Sequence, residues 1–80
     1  MTLFDAVVES INMARPGLPD QQVATMAAKM IGSGIVHLNH KVNQRYTHPV
    51  HVGDVVSYHD FIFDLQTVIF RRKADSHASP

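Results

Sequence analysis

Residues 31–56 carry the tightest constraint in this chain. They read Ile31-Gly-Ser-Gly-Ile-Val-His-Leu-Asn39-His-Lys41, then a polar stretch, then Val50-His-Val-Gly53-Asp54-Val-Val56. Glycines at 32 and 34 end a helical pattern, and Gly32 sits where a helix C-terminus favours a residue tolerant of left-handed backbone. The β-branched run that follows predicts a short strand over 35–38. Asn39-His40 predicts a tight turn, because Asn tolerates positive φ there. Lys41 and Val42 then begin a return strand, Asn43 to Pro49 is a polar loop, and Gly53-Asp54 opens a further strand. A chain punctuated in this order changes from helix to antiparallel sheet near its middle.

The segments on either side agree. Leu3, Phe4, Val7, Val8 and Ile11 recur at helical spacing and predict an amphipathic helix over 3–13. Thr2 with Asp5 three residues on has the form of a capping box. Arg15-Pro-Gly-Leu-Pro19 breaks that helix. Asp20 is the expected cap of a second helix over 21–31, whose apolar face is Val23, Met26, Ala27, Met30 and Ile31. Met13, Met26 and Met30 are expected to fill the core. Val55 to Phe63 is the strongest strand signal, rich in β-branched and aromatic residues. Asp64-Leu65-Gln66 turns it into a last strand over 67–70. The expected architecture is α+β, with two or three short helices packed on a small bent antiparallel sheet. One domain spans 1–73, and 74–80 is a small-residue, polar tail expected to be disordered.

Eighty residues bury only ~60% of the surface the unfolded chain exposes, so the core is thin. No cysteine is present to supply a disulfide or thiolate-metal staple. A partner surface, RNA or protein, is the remaining source of added stability. Seven basic residues balance seven acidic ones, whereas free-standing RNA binders are usually clearly basic. The six histidines add positive charge only in mildly acid solution. No apolar run is long enough to span a bilayer. Asp5 and Glu9 near the start argue against a transit peptide.

Catalytic and metal chemistry find little support. His37-Leu-Asn-His40 and His48-Pro-Val-His51 have the look of paired ligands. On a strand, however, a spacing of three sends side chains to opposite faces, and no HExxH helix accompanies them, so no metal site is assigned. The serines lie in no nucleophile elbow. Asp54 after Gly53 reads as a turn residue before it reads as half of a carboxylate pair with Asp60. Glycines 32 and 34 lack the Lys and the following helix of a phosphate loop. No cofactor and no small-molecule substrate is implied. Arg71-Arg72-Lys73 is the one charge run, and Lys29, Lys41 and Arg45 are further cations suited to phosphate contact. Asn39 and Asn43 have the chemistry to read RNA edges or 2′-hydroxyls as well as to make turns.

Taken in order, Phe4-Asp5 with Val8, Ala27-Ala28-Lys29-Met30-Ile31, Gly34-Ile-Val-His-Leu-Asn39-His40-Lys41 and Val52-Gly53-Asp54-Val55-Val56 resemble the four sequence elements of the S-four RNA-binding domain. Fourteen positions separate Asn39 from Gly53, as in the small-subunit ribosomal protein for which that domain is named. The resemblance covers residues 3–60. It implies a non-catalytic module that presents a basic surface to structured RNA, with ribosomal RNA and neighbouring proteins of a ribonucleoprotein particle as partners. It implies Lys29, Asn39, His40, Lys41, Arg45, Arg71, Arg72 and Lys73 as the RNA-binding positions. A ribosome-associated intracellular location follows, and an organellar (mitochondrial) version accounts for the short chain and weak basicity as well as a cytoplasmic one does. The chain departs from the family pattern at Ala28, where the family carries arginine, at His40, where it carries glycine, and in a longer loop around Arg15 to Pro19. The lost cations point to a subunit held in place by neighbours.

Two alternatives rest on narrower likenesses. His48-Pro-Val-His-Val-Gly53-Asp54-Val-Val56 resembles the strand entry of hot-dog-fold acyl-CoA thioesterases, a fold that needs a long central helix, further strands before it and a catalytic carboxylate, for which this length leaves no room. A winged-helix DNA-binding domain would need Ile35 to Tyr46 to be helical, with Val55 to Phe70 as its wing.

Overall fold

The computed structural model describes residues 1–60 and 66–73. Two helices, α1 (Leu3–Ala14) and α2 (Asp20–Gly32), precede four strands: β1 (His37–Leu38), β2 (Lys41–Val42), β3 (Val55–Asp60) and β4 (Gln66–Arg71). The strands form one antiparallel sheet in the order β2-β1-β3-β4. The architecture is α+β, with two helices among the described residues.

The start of α1 follows the sequence closely. Thr2 Oγ1 accepts from the Asp5 amide, and Asp5 returns a carboxylate to the Thr2 amide. This reciprocal cap satisfies two of the donors a helix start leaves open. Two more are met by a distant segment: the Leu3 amide donates to the His48 carbonyl at 2.8 Å and the Phe4 amide to the Tyr46 carbonyl at 3.0 Å. Val50 donates back to the Met1 carbonyl at 2.8 Å, and Thr2 bridges to Pro49.

The second helix differs from expectation at both ends. Asp20 is its first residue, Pro19 takes the cap position, and no side chain caps the turn. Proline has no amide to satisfy at this place, and its carbonyl accepts the first helical bond, from the Val23 amide at 3.1 Å. At the other end Gly32 is still helical. The left-handed residue is Gly34, with φ +78°. Gly34 donates to Ile31 at 3.2 Å and Ile35 to Met30 at 3.4 Å, the paired bonds of a Schellman ending with glycine in its left-handed position.

The core is one cluster drawn from every layer. Leu3, Ala6, Val7 and Ile11 of α1 and Val23, Ala27, Met30 and Ile31 of α2 pack with Val36, Leu38, Val50, Val56 and Tyr58. Met13 is 69% exposed; it lies on the outer side of the last turn of α1, so of the three methionines only Met30 is buried and Met26 is half-buried. One polar pair enters the core, Ser10 Oγ and Tyr58 Oη at 3.0 Å, both nearly inaccessible.

Asn39 (φ +51°) and His40 (φ +71°) form the tight turn, with Leu38 opposite Lys41. Positive φ at both central residues is the signature of the two-residue hairpin turn that matches strand twist. β1 is shorter than expected, because Ile35 and Val36 are spent leaving α2. A winged helix needs helix where this hairpin stands, and neither helix exceeds 13 residues. β4 is one residue longer at each end than expected, taking in Gln66 from the expected turn and Arg71 from the charge run. The expected continuation of β3 to Phe63, the turn at Asp64-Leu65 and the tail 74–80 lie outside the described residues.

Candidate nucleic-acid interface

The Gly53-Asp54 step and the Asn39 turn are a single hydrogen-bonded unit. Asn39 Nδ2 donates to Asp54 Oδ1 at 3.1 Å, and Asn39 Oδ1 accepts from the Val55 amide at 2.9 Å. The Asn39 amide in turn donates to the Val55 carbonyl at 2.7 Å. The other carboxylate oxygen of Asp54 accepts from the His51 amide at 2.8 Å, while the Asp54 amide closes a turn onto the His51 carbonyl at 2.9 Å. The His51 amide and then the Asn39 side chain hold the Asp54 carboxyl below its usual range; partial desolvation opposes them, and the His51 and His48 imidazoles add the smallest lowering effects. Asn39 therefore spends its side chain on the fold.

The loop after β2 is fixed to the end of α2. Gln44 Nε2 donates to the Gly32 carbonyl at 3.0 Å and Tyr46 Oη to the Ala28 carbonyl at 3.2 Å. The Gly32 carbonyl is among those a helix end leaves without an intrahelical partner, and the Tyr46 hydroxyl adds a bond to the Ala28 carbonyl one turn earlier. A Cβ built on Gly32 would stand 2.9 Å from Tyr46 Oη, so the absence of a side chain there lets the loop approach. Asn43 Oδ1 accepts from the Arg45 amide at 2.9 Å, and His48 donates to the Arg45 carbonyl at 3.2 Å. Arg45 is thus displayed from a fixed turn beside the last turn of α2, which carries Lys29. Both side chains are exposed.

The proposed positions fall into two groups. Lys29 and Arg45 lie where α2 meets the loop. Asn39, His40, Lys41, Arg71, Arg72 and Lys73 lie at one end of the sheet, where β1 turns into β2 and β4 runs out beside the start of β3. All are exposed except Arg72. Arg72 is half-buried: its guanidinium donates to the Val50 carbonyl, its amide to Asp54 and its carbonyl accepts from Gly53. It fastens the end of β4 to the 50–54 segment.

Sequence reasoning missed Gln44 and Tyr46, which set the loop without offering charge. The available signal was an aromatic residue inside an otherwise polar loop. Among the histidines, His37 Nδ1 donates to the Ile35 carbonyl at 3.2 Å. No group of three or more His, Asp or Glu among the described residues is arranged to hold a metal ion.

Comparison with protein-family models, curated proteins and solved structures returns no match.

Proposed function

We propose that this chain is a non-catalytic RNA-binding module of the S-four type, acting as a component of a ribosomal small subunit and contacting structured ribosomal RNA. The observation that carries the reading is the hydrogen-bonded union of Asn39 with Asp54. It accounts physically for the last two of the four motifs on which the resemblance rests and for the spacing between them, and it holds Lys41 at a fixed turn. Lys29 and Arg45, displayed beside the end of α2, extend the cationic surface. With zero formal net charge, the module relies on local placement of cations, and neighbouring proteins of the particle supply the rest of its hold. A ribosome-associated location, in an organelle such as the mitochondrion or in the cytoplasm, belongs to the same proposal.

Titration of the purified chain with small-subunit ribosomal RNA fragments over a range of salt concentrations tests this. Binding is expected, with affinity falling as salt rises. Lys41→Ala with Arg45→Ala is expected to reduce the salt slope by ~0.7–0.9 for each phosphate that loses its cation. Wild-type affinity and particle incorporation by that double variant would remove the assigned surface.

A further inference from the structure

We propose that the outer edge of β4, unpaired among the described residues, is a self-association site at which two copies of this chain pair antiparallel with Ile69 on the two-fold axis. The two edges of the sheet are unlike. The β2 edge is two residues long and carries Lys41, a short charged edge of the kind that resists strand addition. The β4 edge is six residues long, Gln66-Thr-Val-Ile-Phe-Arg71, and has no neighbour among the described residues. It contains no proline or glycine, and its single charge lies at its end. Nothing in it blunts pairing.

Hydrogen-bond parity fixes which backbone groups face outward. Val55 gives both its amide and its carbonyl to Asn39, so it makes no bond to its β4 partner Arg71. Arg72, the next residue, gives both its groups to Gly53 and Asp54. The amides and carbonyls of Arg71, Ile69 and Thr67 therefore point away from β3, because direction alternates along a strand. These are the groups an added strand would meet.

Self-pairing about a two-fold axis normal to the sheet requires opposed residues to share a face. The register centred on Ile69 satisfies this and uses the three outward residues. Ile69 opposes Ile69 of the second copy, Thr67 opposes Arg71, and Val68 opposes Phe70. No like charges meet. On the open face the seam is Ile69, which is 68% exposed in the single chain. On the core face Val68 and Phe70, both only partly buried against the core, meet their counterparts and continue the thin core across the axis. The β1–β2 hairpin lies at the far edge, so association leaves Lys29, Lys41 and Arg45 uncovered.

The chain has no cysteine, so single-cysteine variants report the register directly. Cα atoms of a hydrogen-bonded antiparallel pair stand ~5.5 Å apart, within disulfide reach. Under mild oxidation Ile69→Cys is expected to cross-link to itself rapidly. Thr67→Cys is expected not to, since two copies of position 67 are offset along the strands. A mixture of Thr67→Cys and Arg71→Cys chains is expected to give the mixed dimer. Sedimentation equilibrium of the unmodified chain is expected to show a monomer–dimer equilibrium, which Ile69→Lys shifts to monomer with an unchanged circular dichroism spectrum. A monomer at every concentration, or cross-linking of Thr67→Cys as fast as Ile69→Cys, overturns the proposal. Cross-linking in some other register also overturns it. The salt slope of RNA binding by the uncharged variant Ile69→Asn, expected to match that of the unmodified chain, separates this result from the RNA-binding reading.

Discussion

Asn39 and Asp54, fifteen positions apart in sequence, share a 3.1 Å hydrogen bond, and Asn39 occupies left-handed backbone to make it. The same side-chain amide caps Val55. Asn is well suited here because it combines a tolerated positive φ with a side chain that both donates and accepts. Asn39→Gly keeps the backbone and loses the bonds, while Asn39→Ala loses both. The expected order of melting temperature is wild type, then Asn39→Gly, then Asn39→Ala. Asp54→Ala combined with either variant is expected to be less damaging than the separate effects summed, because the second change has no shared bond left to remove. Strict additivity in thermal unfolding would contradict the coupling.

His40 holds φ +71° without the side-chain compensation that Asn39 has. An L-residue in this region costs roughly 1–2 kcal/mol relative to ordinary backbone, and glycine is favoured at the second position of this turn. After allowance for the greater freedom of glycine in the unfolded chain, His40→Gly is expected to stabilise the fold by ~0.5 kcal/mol. A rise in the urea midpoint with an unchanged slope measures it.

The lowered carboxyl of Asp54 makes stability depend on acidity. Its unfolded-state value is near 3.8 and its folded-state value lies below that. The folded chain therefore binds this proton less readily than the unfolded one. The resulting stability is fully present above the unfolded value and is lost as pH falls through the folded one. Asp54→Asn is expected to be less stable than wild type near neutrality, with the gap closing below about pH 4. Parallel pH–stability curves for the two proteins would rule this out.

Ser10 and Tyr58 satisfy one another inside the core. Tyr58→Phe leaves the Ser10 hydroxyl without that partner, at a cost of ~1–2 kcal/mol. Ser10→Ala combined with Tyr58→Phe is expected to recover part of the loss, because neither polar group is then left in apolar surroundings. Chemical denaturation of the three variants reads this directly.

Arg72 and Lys41 should separate into structure and contact. Arg72→Ala removes the bond to the Val50 carbonyl and is expected to lower the melting temperature. Lys41→Ala, at an exposed position, is expected to leave melting within experimental scatter while reducing the RNA salt slope by ~0.7–0.9. Thermal scans beside salt titrations distinguish the two.

Features written in local sequence are the legible ones. The Thr2–Asp5 cap, the apolar stripes of both helices and the Asn39-His40 turn each depend on residues within a few positions of one another. Local pattern ends α2 one residue early and puts its left-handed residue two positions early, since Gly32 and Gly34 satisfy the same rule. Gly32 answers a different need: a side chain there would meet the Tyr46 hydroxyl. Asp20 has the look of a cap but is not one, because Pro19 can enter a helix with no capping side chain. Arg72 reads as part of a solvated charge run, although it sits opposite a segment about twenty residues earlier whose carbonyl it satisfies. At the candidate interface, local pattern locates the cations but not Gln44 and Tyr46, whose roles rest on contacts to a helix end twelve or more residues away.

The stitching of residues 46–50 to the first residues of α1 has a consequence for how the chain is made. The opening turn of the first helix cannot complete its hydrogen bonds until the segment containing Tyr46, His48 and Val50 has left the ribosome. The first turn of α1 therefore waits for the middle of the chain, and its two earliest amides report that moment. In pulse-labelled hydrogen exchange on stalled nascent chains, Leu3 and Phe4 should gain protection only in lengths that expose residue 50, whereas the interior amides of α2 need no such delay.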